Sequence, residues 1–277
     1  MATQQLPRGR PPRFQHVTGL DDEQLSDLVA AVHAVIGPWQ APTGRRKALG
    51  LYMAVVVVLF YLRRNNSQQV EAELFGCSQP TISRYLTCLE PVIGRCLEQV
   101  EAEAARDRAG STLIVDGFLV PTGERAHTKG LFSGKRHACG VNVQAVADLR
   151  GHLVDFGEPM HGSMHDARAF GESGIAKRYA AHAEPDGPGL LGDKGYVGCG
   201  IITPVKKPDY RPLTPAEGWY NRQINRRRSA GERAIAHAVN WKILDTGYRR
   251  PLRLLGRTLR CVLALEIYRR QGFNPFE

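Results

Sequence analysis

The sequence lacks paired cysteines, long apolar runs and the motifs of several enzyme classes. Its six cysteines are scattered, with no Cys-x-x-Cys pair, and no apolar signal segment opens the chain, so we expect a reduced, cytoplasmic setting. The most apolar stretch, Leu49–Leu62, is too short to span a bilayer, which predicts a buried helix and no membrane association. Without a Gly-rich phosphate loop or Ser-His-Asp order, nucleotide hydrolysis and acyl transfer gain no support.

Positive charge is concentrated in the last quarter of the chain. The overall composition, 43% hydrophobic and 23% charged, is that of a folded globular protein. Residues 206–277 hold 16 Lys and Arg against 6 Asp and Glu, a difference equal to the net charge of +10 for the whole chain. The positive electrostatic field of this segment attracts polyanions, of which nucleic acid is the usual one. The alternative is a basic surface that is simply solvated.

The N-terminal residues 1–19 predict a basic, flexible tail. Within it, Arg8-Gly9-Arg10 between prolines resembles the core of an AT-hook, which enters the minor groove of A/T-rich DNA. The alternative is a disordered tail that happens to contain arginine. Two further regions follow, a helical one over residues 20–108 and an α/β one over residues 109–277.

The helical region contains a helix-turn-helix pattern. Apolar spacing predicts helices over about 21–36, 45–64, 68–75 and from Ser78 to about Arg106, the last with a kink or break at Pro91. Gly76 separates the third from the fourth, as in a helix-turn-helix. The fourth would present polar side chains to base edges, namely Gln79, Thr81, Ser83 and Arg84. A plain helical bundle that packs or dimerises is the alternative.

The order of elements after Gly110 predicts a ribonuclease-H-like α/β fold. Apolar runs and alternation indicate strands over 112–116, 140–148, 152–158, 189–193 and 201–205, and helices over about 165–180, 215–244 and 252–270. We therefore expect a mixed sheet with flanking helices, preceded by the all-α helix-turn-helix region.

Two of these strands end in a carboxylate, at Asp116 and Asp193. Strand ends deliver side chains to a crevice, and two carboxylates there repel each other unless a cation lies between them. Oxygen ligands favour magnesium or manganese, and two ions about 4 Å apart can clamp both oxygens of a displacement at phosphorus. Alone, either aspartate would be explained as a turn or cap residue; the pair in this order favours a metal site.

A third carboxylate is expected from the long basic helix, where Glu217, Glu232 and Asp245 are the options. We favour Glu232, because small residues precede it and permit close approach to the sheet. Its alternative role is an ion pair with Arg228, four residues earlier. The arginines of this helix are expected to contact phosphates, namely Arg222, Arg226, Arg227 and Arg228.

Three segments resemble the signatures of DDE transposases, specifically the Harbinger-like endonucleases related to the insertion-sequence-five group. These segments are Ile114-Val115-Asp116-Gly117, Gly192-Asp193-Lys194-Gly195-Tyr196, and Gly231-Glu232-Arg233-Ala234 followed by Trp241-Lys242-Ile243-Leu244. The resemblance covers roughly residues 45–270. The segment around Asp193 is the most specific, whereas Ile235-Ala236-His237 replaces the Phe-Gly that is usual after the arginine.

The resemblance implies a nuclease and strand transferase that uses Mg²⁺ or Mn²⁺, two ions in all, held by Asp116, Asp193 and Glu232. It implies cutting at transposon ends and joining of the freed 3′-hydroxyl to target DNA, by a homo-oligomer associated with the nucleoid. Residues 45–105 would bind the terminal inverted repeat, and Lys194 and Tyr196 would lie beside the metals. The alternative function is a sequence-specific DNA-binding protein, derived from a transposase, that no longer cuts.

A further segment, His161 to Asp166, resembles the Gly-Ser-x-His-Asp of the same family. His165 and Asp166 are candidates to contact DNA or the catalytic carboxylates, and Asp166 is the rival fourth ligand. Without the resemblance, Ser163 or Asp166 is a helix cap. His161 and His165 have zinc-like spacing but no Cys or His partners. The polar loop over 124–136 is either a closing loop or a mobile surface loop.

Overall fold

A computed structural model describes residues 14–40, 43, 46–123, 125 and 128–271. The predicted Arg8-Gly9-Arg10 motif and His127 of the polar loop lie outside these residues. Within them the chain has the predicted fold class, a mixed sheet with flanking helices preceded by a helical region. None of the helices in these ranges is long and apolar enough to cross a membrane.

The helical region follows the predicted order with three corrections, the first being that a short helix, Gln15–Thr18, lies within residues 1–19, which were predicted as a flexible tail. Its helices are α1 Gln15–Thr18, α2 Asp22–Ile36, α3 Leu51–Arg64, α4 Gln68–Leu74, α5 Gln79–Cys96 and α6 Glu98–Asp107. The second predicted helix begins at Leu51 rather than near residue 45, because Gly50 is extended and forms its N-cap. Helix α5 continues through Pro91 and the break comes at Leu97. The proline removes a single backbone hydrogen bond, while the buried face continues beyond it.

The sheet is built around two long antiparallel strands. Its strands are β1 Leu113–Pro121, β2 Phe132–Ser133, β3 Ala138–Asp148, β4 Leu153–Phe156, β5 Met160–His161 and β6 Leu190–Leu191. Strand β3 pairs with β1 along one edge and with β2, β4 and β5 along the other, while β6 lies parallel to β1. The strand predicted over 201–205 is reduced to one parallel bridge between Leu191 and Ile202.

The helices that flank the sheet are shorter than expected. They are α7 Asp166–Glu172, α8 Ile175–Arg178, α9 Ala180–Ala183, α10 Pro215–Ala238 and α11 Leu255–Gln271, with 3₁₀ turns at Lys194–Tyr196, Lys242–Leu244 and Leu252–Leu254. The single helix predicted over 165–180 is divided at Gly174, whose φ of +83° is left-handed. The predicted helix over 215–244 ends at Ala238.

Apolar residues of the sheet pack in opposite directions. Ile114 and Leu191 face Ile224 and Ala230 of α10, whereas Leu113, Val115 and Leu190 face Phe170 and Tyr196 on the other side. A third cluster runs from Leu28, Leu59 and Leu89 of the helical region through Leu263 of α11 to Phe118 of β1. The helical region and the sheet thus share a continuous core, and the boundary at residue 108 stays a prediction.

A buried charge pair joins these two parts. Glu90 of α5 is fully buried and forms an ion pair with Arg250, which is itself buried. The hydroxyl of Thr258, on α11, donates to Glu90 Oε1 at 2.6 Å. Because each charge is removed from water, neither is stable there without the other.

Removal of this carboxylate should destabilise the whole fold. We expect Glu90→Ala to lower the free energy of unfolding by about 3–5 kcal/mol, since it strands Arg250 as a buried charge. The control is Glu172→Ala, which removes an exposed ion pair with Arg168 and should cost roughly 0.5 kcal/mol or less. Urea unfolding measures both, and equal losses would contradict the assignment of Glu90 to a buried pair.

Candidate active site

The pairing of β1 with β6 places Asp116 and Asp193 at corresponding positions, each beyond the last residue pair. Leu113 pairs with Leu190 and Ile114 with Leu191, and the pairing ends there. Asp116 and Asp193 each lie two residues beyond the last of these pairs. Side chains alternate along a strand, so Asp116 projects from the same face of β1 as Ile114, toward α10.

The two aspartates occupy different local structures. The predicted strand end at Asp116 is wrong, because β1 continues to Pro121 against β3; what ends near Asp116 is the neighbouring strand β6. Asp193 follows β6 and caps the 3₁₀ turn at Lys194–Tyr196, with its Oδ1 accepting from the amide of Gly195 at 2.7 Å. Asp116 is therefore held by the sheet and Asp193 by a turn.

A third aspartate, Asp166, lies on the other face of β1. A β-carbon at Gly117 would stand 2.6 Å from Asp166 Oδ1, so only glycine leaves room for this carboxylate. The helix cap here is His165, whose Nδ1 accepts from the amide of Ala167 at 3.4 Å; Asp166 is the first residue of α7. Lys135 Nζ, which is exposed, contacts Asp166 Oδ2 at 3.2 Å.

Buried amides connect Asp166 to Tyr196. The Tyr196 hydroxyl donates to Gln144 Oε1 at 2.6 Å, Gln144 Nε2 donates to Asn142 Oδ1 at 2.8 Å, and Asn142 Nδ2 donates to Asp166 Oδ1 at 2.8 Å. Burial and the aspartates, Asp166 first, raise the pKa of Tyr196. Tyr196 is fully buried and its hydroxyl is engaged by Gln144, so its side chain is not exposed to solvent.

Arg228 supplies positive charge beside Asp116. Its Nη2 lies 3.6 Å from Asp116 Oδ2, with both side chains largely buried. Burial raises the pKa of Asp116; Arg228 opposes that rise, whereas Asp193 and Asp166 add to it. Asp116 thus faces one cation and two further carboxylates. Arg228 is partly buried, and its predicted contact with a DNA phosphate stays a prediction.

Helix α10 brings Arg228 to the aspartates and places Glu232 further along. A β-carbon at Gly231 would stand 2.9 Å from Ile114 Cγ2, which shows how closely the helix approaches β1. Since Arg228 adjoins Asp116 and Gly231 adjoins Ile114, α10 runs opposite to β1. Glu232 is exposed and forms no ion pair with any described residue, including the predicted partner Arg228.

The other two acidic options for a third ligand are engaged elsewhere. Glu217 completes the capping box of α10 with Thr214 and binds Arg211 through both oxygens, which lowers its pKa to about 2. Asp245 pairs with Lys242 at 2.6 Å. Over the described ranges, no group of three or more His, Cys, Asp or Glu side chains is arranged to hold a metal ion.

The candidate DNA-reading residues lie at the start of α5. Arg84 is exposed and donates to Thr81 Oγ1 at 3.3 Å, while Gln79 donates to Gln68 Oε1 at 2.6 Å. Ser83 is partly exposed. Arg46 and Lys47 line the same groove, with Lys47 Nζ 3.4 Å from the centre of the Trp39 ring. Sequence reasoning missed these two as candidates, although a basic pair directly before an apolar helix was a signal.

The remaining basic candidates are exposed, as expected of phosphate contacts. These are Lys194, next to Asp193, and Arg222, Arg226 and Arg227 on α10. Arg226 and Arg227 line a groove with Arg233 and Leu149 of the β3–β4 hairpin. Asn142 and Gln144 were also missed; polar residues at alternate positions within the apolar strand β3 were the signal.

Comparison with known proteins identifies the family of the chain. A family model described as DDE superfamily endonuclease matches residues 115–266, more than half of the chain, and one described as the helix-turn-helix of DDE superfamily endonuclease matches residues 48–99. A probable transposase for insertion sequence element IS702 of Microchaete diplosiphon is 26% identical over 267 residues, which span 92% of this chain and 93% of that relative. No solved structure matches. Because the endonuclease model covers more than half of the chain, the chain belongs to the DDE superfamily endonucleases.

Proposed function

We propose that this protein is a transposase, which hydrolyses phosphodiester bonds at transposon ends and joins the 3′-hydroxyl to target DNA. The observation that carries the proposal is the pairing of β1 with β6, in which Asp116 and Asp193 each follow the last pair, Ile114 with Leu191, by two residues. Membership of the endonuclease family and similarity to a probable transposase support it.

The metal-binding part of the proposal assigns Mg²⁺ or Mn²⁺, two ions, to Asp116, Asp193 and Glu232. Asp116 and Asp193 fit such ions, because they supply oxygen ligands and because Asp193 and Asp166 add negative charge around Asp116, whose pKa is raised mainly by burial. When bound, the metal would stabilise charge on the attacking and leaving oxygens. Glu232 is supported by its motif and by its position on α10, one turn after Arg228.

The protein's own groups would position the DNA. Exposed Lys194, beside Asp193, is placed to bind the phosphate next to the bond that is cut, and His165 lies exposed at the start of α7. The chain of hydrogen bonds from Tyr196 to Asp166 holds both side chains in fixed positions next to the proposed metal site. The start of α5 would read the terminal inverted repeat in duplex DNA, and a homo-oligomer in the nucleoid would hold two ends.

A second candidate function is a DNA-binding protein of transposase descent that does not cut. The observation that favours it is the exposure of Glu232, together with the absence, among the described residues, of three His, Cys, Asp or Glu side chains arranged to hold a metal ion. Both functions predict DNA binding, and only the first predicts metal-dependent nicking.

Substitution of the carboxylates distinguishes the two functions. On labelled transposon-end DNA with Mg²⁺ or Mn²⁺, we expect nicking by the wild type and a loss of at least about 100-fold in Asp116→Asn, Asp193→Asn and Glu232→Gln, a loss usual for groups that stabilise transition-state charge. Binding of the same DNA, measured by gel shift, should persist in each variant.

The matched control for Glu232 is Glu172→Gln, which changes an exposed glutamate at the C-terminal end of α7 that pairs with Arg168. It should nick like the wild type. A wild type that binds the DNA but nicks with neither metal would refute the enzyme and leave the non-cutting function. Normal nicking by Glu232→Gln would refute that glutamate alone.

The exposed arginines of α10 should dominate the salt dependence of DNA binding. We expect Arg226→Gln and Arg227→Gln each to reduce the slope of log K against log salt by about one, the loss of one phosphate contact. Binding can be followed by tryptophan fluorescence, since Trp219 on α10 is 59% exposed while Trp39 and Trp241 are buried.

Lys177→Gln provides the matched control for charge. Lys177 is an exposed cation on α8 without an ion-pair partner among the described residues, and its loss should leave the slope unchanged. If the wild type and both arginine variants give the same slope of log K against log salt, this surface does not belong to the DNA-binding site.

A further inference from the structure

The cation nearest the proposed metal site is part of the protein itself. Over the described residues, Arg228 is the one Lys or Arg side chain within 4 Å of a carboxylate oxygen of Asp116, and Asp193 has none. The contact is between side chains only 14% and 21% exposed, so it is screened far less than a surface pair. Arg228 thus provides the positive charge that lies next to the Asp116 carboxylate.

We propose that Arg228 occupies Asp116 until DNA arrives, so that binding of the divalent metal and binding of DNA are coupled through this guanidinium. The inference rests on the proposed function, since it takes Asp116 to be a metal ligand. A guanidinium and a divalent cation neutralise the same carboxylate, and the metal binds only the fraction of molecules in which that carboxylate is free.

Packing keeps Arg228 at this place in the free protein. Gly231 and Ala230 allow α10 to lie against Ile114 and Leu191, and Arg228 lies less than one turn before Gly231 on the side that faces the sheet. Its position is therefore set by the backbone of α10 rather than by a flexible surface side chain.

The contact between Arg228 and Asp116 is nevertheless weak, so Arg228 can form stronger hydrogen bonds with another acceptor. At 3.6 Å the pair is longer than a hydrogen bond, and Arg228 Nε is buried without a hydrogen-bond partner among the described residues. A phosphate can accept two parallel hydrogen bonds from a guanidinium. Exposed Arg226 and Arg227, on the same helix, would bring DNA phosphates near.

Transfer of Arg228 from Asp116 to a phosphate would release the carboxylate for the metal. Linkage makes the effect reciprocal, so that a bound metal raises affinity for DNA by the same factor. The free protein would then bind metal weakly, and the site would be completed on DNA.

The experiment measures Mn²⁺ affinity of the DNA-free protein by titration calorimetry. We expect Arg228→Gln to bind Mn²⁺ about fivefold more tightly than the wild type, at the lower end of usual coupling strengths, and Arg228→Lys to lie between them. The control is Lys177→Gln, which removes one positive charge at an exposed position on α8; it should change the affinity by less than about twofold.

The outcomes separate this inference from the proposed metal site. If Asp116→Asn weakens Mn²⁺ binding while Arg228→Gln binds no more tightly than the wild type, the site stands and the coupling is refuted. If Asp116→Asn and the wild type bind Mn²⁺ alike, the proposed site itself fails.

A second measurement avoids dependence on the folding of Arg228→Gln. At constant ionic strength, wild-type affinity for an end-DNA duplex should be about fivefold higher with Ca²⁺, used as a cation that does not support cutting, than without it. Asp116→Asn should lose this increase. A wild-type affinity that does not change with Ca²⁺ would overturn the inference.

Discussion

The close packing of α10 against β1 is the constraint on which the candidate site depends. A β-carbon at position 231 would stand only 2.9 Å from Ile114 Cγ2, so α10 packs tightly on the Ile114 side chain. That approach sets Arg228 beside Asp116. A larger residue at 231 would move the helix outward, and the buried Asp116 carboxylate would lose the cation that now faces it.

The opposite face of the same strand is held by a different kind of contact. Gly117 admits the Asp166 carboxylate, and the hydrogen bonds from Asp166 through Asn142 and Gln144 end on Tyr196. Tyr196 follows Asp193 by three residues. The two faces are therefore linked: the turn that positions Asp193 is fixed by hydrogen bonds to the side of β1 that Asp116 does not occupy.

Sequence patterns could predict the order of elements and the pair of aspartates, because alternation, apolar runs and turn residues are local. They could not predict how far each strand extends: β1 continues past Asp116 because β3 pairs with it, and the paired residues lie 19 to 35 positions apart in the chain. Nor could they decide which residue of α10 meets Asp116. Arg228 and Glu232 are one turn apart, and only the packing at Gly231 gives the position of Arg228.

The shared core bears on how recognition and cutting would be related. Helix α5, which carries Gln79 and Arg84, packs in one apolar cluster with α11 and with Phe118 of β1, and Glu90 is joined to Arg250 and Thr258 across that boundary. On the proposed function, the reading helix and Asp116 would be held by packing rather than by a linker. The distance along the DNA between the sequence that is read and the bond that is cut would then be a property of the fold.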